Sequence, residues 1–251
     1  MLHHHQVLES GPVGGKIAIV MAPMMWDDGT FCAPLTELLL DCGYRVSIYD
    51  TMSVAQDCAD LLSTAVRWGA ILRTRHTRID LAVGQAYGGA LVQYLLADTL
   101  ANCPRVIGIS APNYYDDALR AGLSGILDTL MHMGPAAALS ETDWMVQANH
   151  SSPSQPTDPV AVPPDTARRL QAGLTHLCAV DAREQVASFA GRILWLYGEA
   201  SRLVRGCNII PIVRKPLQNA IALPHCGMRP LADAREEAMA LIRDFLEETS
   251  Q

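Results

Sequence analysis

Positive charge is scarce in this chain and nowhere gathers. Its 251 residues carry 19 Lys and Arg against 26 Asp and Glu, a formal net charge of -7 at pH 7. With no block of basic residues, the chain lacks the basic face that nucleic acid requires and the polybasic segment that anionic membrane surfaces attract. Charged residues of both signs reach only 18%, below the usual globular share of about 25%. Much apolar surface is therefore committed to a core or a pocket, and the 49% hydrophobic content is enough to fill a core. No stretch reaches the roughly 18 consecutive apolar residues of a membrane span. The start, MLHHHQVLESGPVGG, has neither a basic n-region nor an apolar h-region, so it is not read as a signal peptide. It reads as a flexible leader over residues 1–15, in which His3, His4 and His5 lack the rigid geometry of a metal site.

Paired cysteine motifs are missing too. Cys32, Cys42, Cys58, Cys103, Cys178, Cys207 and Cys226 are odd in number and contain no C-x-x-C, the pattern of free thiols in a cytoplasmic chain. No His, Asp and Glu spacing suggests a metal, no cofactor is expected, and there is no internal repeat.

What is present is an alternation of periods. KIAIVMA (16–22), YRVSIYD (44–50), RIDLAVG (78–84), RVIGISAP (105–112), RILWLYGEA (192–200) and NAIALP (219–224) read as strands. PLTELLLDCG (34–43), residues 54–73, GGALVQYLLADTLA (88–101) and residues 233–248 read as helices. Strands alternating with helices imply a mostly parallel, doubly wound α/β sheet covered on both faces. The alternation stops at 113–180, where ALRAGLSGILDTLMHM and DTARRLQAGLTHLCAV flank the Pro- and Ser-rich HSSPSQPTDPVAVPP. This segment reads as an inserted helical cap, with core at 16–112 and 181–251.

The stretch LAVGQAYGGALVQYLL (81–96) passes from a strand through Gly84-Gln85-Ala86-Tyr87-Gly88 into a helix. It is similar to the nucleophile elbow G-x-S-x-G. GYRVSIYD, LWLYGEASRLV and ALPHCGMRPLADAREEAMALIRDFL follow in the order of a second strand, an acid-bearing loop and a histidine-bearing loop with its final helix. Together, over residues 16–248, the chain resembles the α/β-hydrolase superfamily with a cap after the sixth strand. Gly84-x-Ala86-x-x-Gly89 also has a faint likeness to a dinucleotide fingerprint, but the Gly-Gly after Tyr87 fits the elbow better.

That resemblance implies a Ser nucleophile, a His base and a carboxylate, and this sequence has none of the three where they are expected. Ala86 stands for the Ser, Ser201 for the acid and Met228 for the His. An engineered Ser→Ala would explain Ala86 alone and not the other two. His225, Asp116, Asp117 and Cys226 are candidate substitutes. The elbow's first oxyanion donor, the Tyr87 N–H, is kept. The second is expected after Met21-Ala22, where Pro23 has no N–H; Met24 supplies it only if the loop differs, and losing such a donor costs about 2.7–4 kcal/mol.

The pocket itself is expected to persist at the sheet's C-terminal edge under the cap. Ala86, Met21, Met24, Met25, Trp26, Tyr114, Tyr115, Met131, His132, Trp144 and Met228 are expected to line it. Methionine adapts to rings, so a bulky hydrophobic guest suits this lining. Asp27, Asp28 and Arg229 are further polar candidates. The first functional reading is a non-hydrolytic enzyme of secondary metabolism: a cyclase, lyase, dehydratase or isomerase. Tyr87 or Gln85 donates a hydrogen bond, His225 or an Asp moves a proton and Ser201 adds a polar contact. A catalytically inactive small-molecule-binding protein, and an esterase-like or thioesterase-like hydrolase with a relocated triad, remain alternatives. A hydrophobic small molecule is the expected partner, without nucleic acid or membrane, and with a homodimer left open.

Overall fold

A computed structural model describes residues 7–26, 28–148, 162–209 and 217–248. His3, His4, His5, Asp27 and most of the Pro- and Ser-rich stretch lie outside them. Seven strands form one sheet: β1 Val7–Ser10, β2 Lys16–Met21, β3 Tyr44–Tyr49, β4 Leu81–Gln85, β5 Arg105–Ile109, β6 Arg192–Gly198 and β7 Gln218–Leu223. Their order is β1-β3-β2-β4-β5-β6-β7. Strands β2 to β7 are parallel to their neighbours. β1 runs antiparallel to β3, from Val7 opposite Tyr49 to Ser10 opposite Val46.

β1 corrects the expectation of a flexible leader across residues 1–15. Four residues are too few to show a period, but tertiary contacts hold them. Leu8 packs on Gly29, where an added Cβ would sit 2.6 Å from its Cδ1, and Glu9 pairs with Arg45 at 3.0 Å.

The helices are α1 Ala33–Asp41, α2 Met52–Ala55, α3 Leu61–Arg75, α4 Tyr87–Leu95, α5 Asp117–Met133, α6 Pro135–Val146, α7 Thr166–Leu177, α8 Arg183–Ser188, α9 Pro230–Asp233 and α10 Arg235–Glu247. The helical period over 54–73 is broken in two because Asp60 starts a new helix. Its carboxylate accepts the Ser63 N–H at 2.7 Å while Ser63 Oγ accepts the Asp60 N–H at 3.2 Å, a reciprocal cap.

Alternation along the strands sorts the two faces. Ile19, Met21 and Ala82 pack with Leu61, Trp68 and Leu91 of α3 and α4. Ala18, Val20 and Val83 pack with Leu35 and Leu39 of α1 and Ile242 and Phe245 of α10. Trp68 is fully buried and places its indole N–H on the Thr51 carbonyl at 3.0 Å, so its polar atom adds no unpaired burden. Helices α5, α6 and α7 stand between β5 and β6 and cover the C-terminal ends of the strands. Among the described residues no helix is long and apolar enough to cross a membrane.

Candidate functional site

The site grows from the turn between β4 and α4. Ala86 lies there at φ 46°, ψ -112°, a region an L-residue rarely occupies and one that costs about 1–3 kcal/mol. The glycines around it make the turn possible. A Cβ at Gly88 would lie 2.1 Å from the Met21 carbonyl oxygen, and one at Gly84 would lie 2.4 Å from the Gly89 Cα. The Ala86 N–H is held by the Ile109 carbonyl at 2.9 Å. Tyr87 begins α4, so its N–H has no acceptor within the helix and sits at the positive end of the helix dipole. The Ala86 methyl group occupies the point of the turn, where no nucleophile is present.

Above Ala86 lies a cavity of about 310 Å³, at the small end of the roughly 300–1,000 Å³ typical of ligand pockets. Its floor is Gln85, Ala86 and Tyr87. Met24, Met25 and Phe31 form one wall, following β2. Leu123 and Ile126 of α5, Leu139 and Val146 of α6, and Leu174 and Leu177 of α7 form the roof. Met228, Pro230 and Leu231 close the far side. Apolar side chains dominate. The only ionisable carboxylate and guanidinium on the wall, among the described residues, are Asp143 and Arg229, whose Oδ1 and Nη1 are 3.4 Å apart. Gln85 is 2% exposed. Its Oε1 lies 3.9 Å from Cys32 Sγ, and its Nε2 has no hydrogen-bond partner among the described residues.

The cap is fastened to the floor by polar side chains. Arg169 of α7 meets Asp50, just past β3, through Nη1 at 2.8 Å and Nη2 at 2.5 Å. Its Nη1 also reaches the Met24 carbonyl at 3.3 Å, and its Nε pairs with Asp165. The pair is almost completely buried, at 7% and 2% side-chain exposure. His176 of α7 bonds the Tyr87 hydroxyl at 2.7 Å. Met24 packs into the notch at Gly173, where an added Cβ would lie 2.4 Å from its Sδ.

Of the residues expected at the site, Met24, Met25, Gln85, Ala86, Tyr87 and Met228 are brought together on the cavity wall, with Arg229. The others are elsewhere. Met21 is fully buried in the sheet core. Trp26 donates from Nε1 to Asp28 at 3.1 Å away from the wall. Tyr114 lies beneath the Arg183 guanidinium at 4.9 Å and Tyr115 beneath that of Arg120 at 4.0 Å. His132 is exposed, with Nδ1 on the Asp128 carbonyl, and Met131 is 71% exposed. Trp144 is half-buried outside the cavity, stacked 4.3 Å from Arg202. These aromatic rings found arginine partners near the surface, which their spacing in the sequence does not reveal.

The substitutes for the triad are also dispersed. His225 is exposed, at φ 56°, and off the wall. Ser201 is buried behind the wall, its Oγ without a partner among the described residues. Asp116 caps α5 through the Leu119 N–H at 2.7 Å and pairs with Arg205 at 2.6 Å. Those contacts outweigh partial burial and hold its carboxyl below the usual range. Asp117 is exposed in the first turn of α5. Cys226 is buried, and burial together with the neighbouring Asp233 charge pushes its thiol up to about 12, the wrong direction for a nucleophile. No histidine lines the cavity among the described residues. The Ala22 N–H is bonded to the Tyr49 carbonyl at 3.1 Å and Pro23 has none to give, which leaves Met24, on the cavity wall, as the candidate for a second oxyanion donor.

Sequence reasoning missed the cap's contribution: Leu123, Ile126, Leu139, Asp143, Leu174 and Leu177. Their helical period marks an apolar face, but which helix turns that face toward the elbow depends on how the cap docks.

Comparison with solved structures settles the architecture. An α/β hydrolase enzyme from a Medee basin deep-sea metagenome library superposes with a TM-score of 0.78 over 98% of this chain and 95% of that chain, at 11% identity. The chain has the α/β-hydrolase fold. A bromoperoxidase from Bacillus anthracis matches this chain at TM-score 0.73 and 16% identity, covering 96% of it and 95% of the other. An esterase from Thermogutta terrifontis matches at 0.71 and 14%, covering 96% and 92%. No protein-family model matches the chain, and no curated protein sequence does. At these identities the likeness carries the fold, and the site must speak for the function.

Proposed function

We propose that this α/β-hydrolase-fold chain is a non-hydrolytic enzyme acting on an apolar, natural-product-like small molecule without an acyl-enzyme intermediate. The observation that carries the reading is the open cavity over Ala86: the elbow and its helix N-terminus are kept, the methyl of Ala86 leaves room, and the Gln85 amide stands on the wall with an unused donor. A buried unpaired amide is costly unless a ligand acceptor meets it. A substrate carbonyl lying over Ala86 would receive the Tyr87 N–H and the Gln85 amide, and its polarisation favours a proton shift, ring closure or elimination. Asp143 is the one carboxylate on the wall among the described residues and would take the proton. The cavity's size fits about two or three fused rings. That none of the seven cysteines is in a disulfide supports a cytoplasmic setting.

The Asp143–Arg229 pair supports a second reading, a binding protein without turnover. Pairing engages the wall's one candidate base, and the Tyr87 hydroxyl is taken by His176.

Calorimetric titration with a fused-ring β-hydroxy ketone, whose α-proton and hydroxyl can leave together as water, followed by product analysis, tests both. Saturable binding that is lost in Ile126→Trp, with rearranged or dehydrated product, is the expected result. Binding with no product moves the chain to the second reading. Absence of binding by any apolar ketone overturns both.

A further inference from the structure

A second cavity, of about 290 Å³, opens at the opposite edge of the sheet, where the parallel strands begin. Its wall is polar and carries three arginines: Arg45 at the start of β3, Arg75 at the end of α3, and Arg78 in the loop before β4. Two carboxylates answer them. Glu9 of β1 takes Arg45 at 3.0 Å and Arg75 at 3.5 Å, one on each oxygen. Asp80 takes Arg78 at 2.6 Å and also accepts the Ile17 N–H at 2.8 Å. His76 is on the wall too, its Nε2 2.6 Å from the Tyr49 hydroxyl.

We infer that this cavity is a binding site for a phosphoryl group, carried by a phosphomonoester or present as free phosphate. Positive charge exceeds negative here, in a chain whose net charge is -7. Two guanidiniums already converge on one carboxylate, so Glu9 occupies the place an incoming oxyanion would take. The Glu9 pairs are more than a third exposed, at 37–38% for the side chains involved, and exposed ion pairs are weak. An arginine fork binds phosphate oxygens in parallel and more strongly. Asp80 is the better anchored carboxylate, at 12% side-chain exposure, and keeps Arg78 aimed along the wall. The cavity is larger than a bare oxyanion needs, which leaves room for the ester's carbon skeleton. The site is separate from the cavity over Ala86 and stands or falls independently of the activity proposed there.

Isothermal titration of the full chain with inorganic phosphate and with glycerol 3-phosphate, each against sodium chloride of equal ionic strength, tests the inference. Saturable binding is expected for the phosphates and not for chloride. Tighter binding of glycerol 3-phosphate identifies an ester as the ligand, and equal binding identifies free phosphate. Glu9→Gln should tighten binding about fivefold by removing the internal competitor, and Arg75→Gln should weaken it at least tenfold. Without the Glu9 charge β1 keeps its pairing with β3 and its Leu8 contact at Gly29, so Glu9→Gln leaves the fold intact and serves if Arg75→Gln does not fold. Absence of binding, or affinities unchanged by Glu9→Gln, overturns the site.

Discussion

The Tyr87 hydroxyl lies 2.7 Å from His176 Nδ1, and His176 Nε2 lies 3.1 Å from the Cys58 carbonyl oxygen. A carbonyl can only accept, so Nε2 carries the ring proton, Nδ1 accepts, and Tyr87 donates. The hydrogen bond joins the first residue after the elbow to helix α7 of the cap. It also removes the Tyr87 hydroxyl from the chemistry over Ala86, leaving the backbone N–H as that residue's contribution. Burial raises the phenol above its ordinary range, so it stays protonated and the latch stays closed at neutral pH.

Tyr87→Phe keeps the ring on the cavity wall and deletes the donor. His176 Nδ1 is then buried without a partner, and stability should fall by about 1–3 kcal/mol. Chemical denaturation measures this directly. Affinity for an apolar ligand should change little, since the wall keeps its shape. A variant as stable as wild type would show that the hydrogen bond contributes nothing net.

The same latch gives the fold a pH dependence with a defined sign. Burial holds His176 below its ordinary value of 6.5, against the opposing pulls of the Cys58 carbonyl and Asp60. A histidine depressed in the folded state is neutral there and protonates more readily when unfolded. Its stabilising contribution is therefore complete above pH 6.5 and is lost as pH falls through the folded value. His76 is depressed by burial as well and acts in the same direction. His176→Gln can accept from Tyr87 and donate to Cys58 without titrating. Wild type should lose stability more steeply than His176→Gln between pH 6.5 and 5. Parallel curves would assign the slope to His76 and other groups.

The Asp50–Arg169 pair makes a larger demand. Both side chains are almost fully buried and joined by two hydrogen bonds. Removing one partner strands the other charge, which costs about 3–5 kcal/mol. Arg169→Met should show that loss, whereas Asp50→Asn leaves Arg169 its pair with Asp165 and should cost less. The double variant should be less destabilised than the sum of the two, and a double-mutant cycle by urea denaturation reads the difference. Additive losses would mean that the pair is not coupled.

The sequence shows the sheet and the elbow clearly because local chemistry dictates both. β-branched runs mark buried strands, and Gly84, Gly88 and Gly89 are needed because a Cβ on any of them would lie 2.1–2.4 Å from a neighbouring atom. What stays hidden depends on distant parts of the chain. β1 is fixed by Leu8 on Gly29 and by Glu9 on Arg45, contacts that four residues cannot announce. Tyr114, Tyr115 and Trp144 look like pocket residues until their arginine neighbours are seen. Leu123, Ile126 and Asp143 look like ordinary helix residues until the cap is docked. Ala86, Ser201 and Met228 read in the sequence as departures from the triad pattern, but whether a substitute base reaches the elbow is a matter of tertiary placement, and His225 does not line the cavity.

Ala86→Ser restores the missing hydroxyl at a backbone position already shaped for it. It should not restore ester hydrolysis. No histidine stands on the wall among the described residues, so the new hydroxyl has no imidazole to take its proton. Turnover of p-nitrophenyl butyrate should remain at the buffer rate between pH 6 and 9. A rate rising through the imidazole range would reveal a base that reaches the elbow.

Gln85→Leu separates stability from function at the cavity floor. Gln85 is 2% exposed and its Nε2 is unpaired among the described residues. Such a donor costs about 1–3 kcal/mol in the unliganded protein, while its one near contact, Cys32 Sγ at 3.9 Å, is weak. Leucine has a similar volume and no polar atom to strand, so the melting temperature of the free protein should rise. Affinity for a ligand bearing a carbonyl should fall about tenfold or more, while affinity for the matching hydrocarbon should hold or improve. Scanning calorimetry and a paired titration with fluorenone and fluorene make the comparison. If the variant is less stable and binds both ligands equally, the amide has a structural partner and is not the group that receives the substrate.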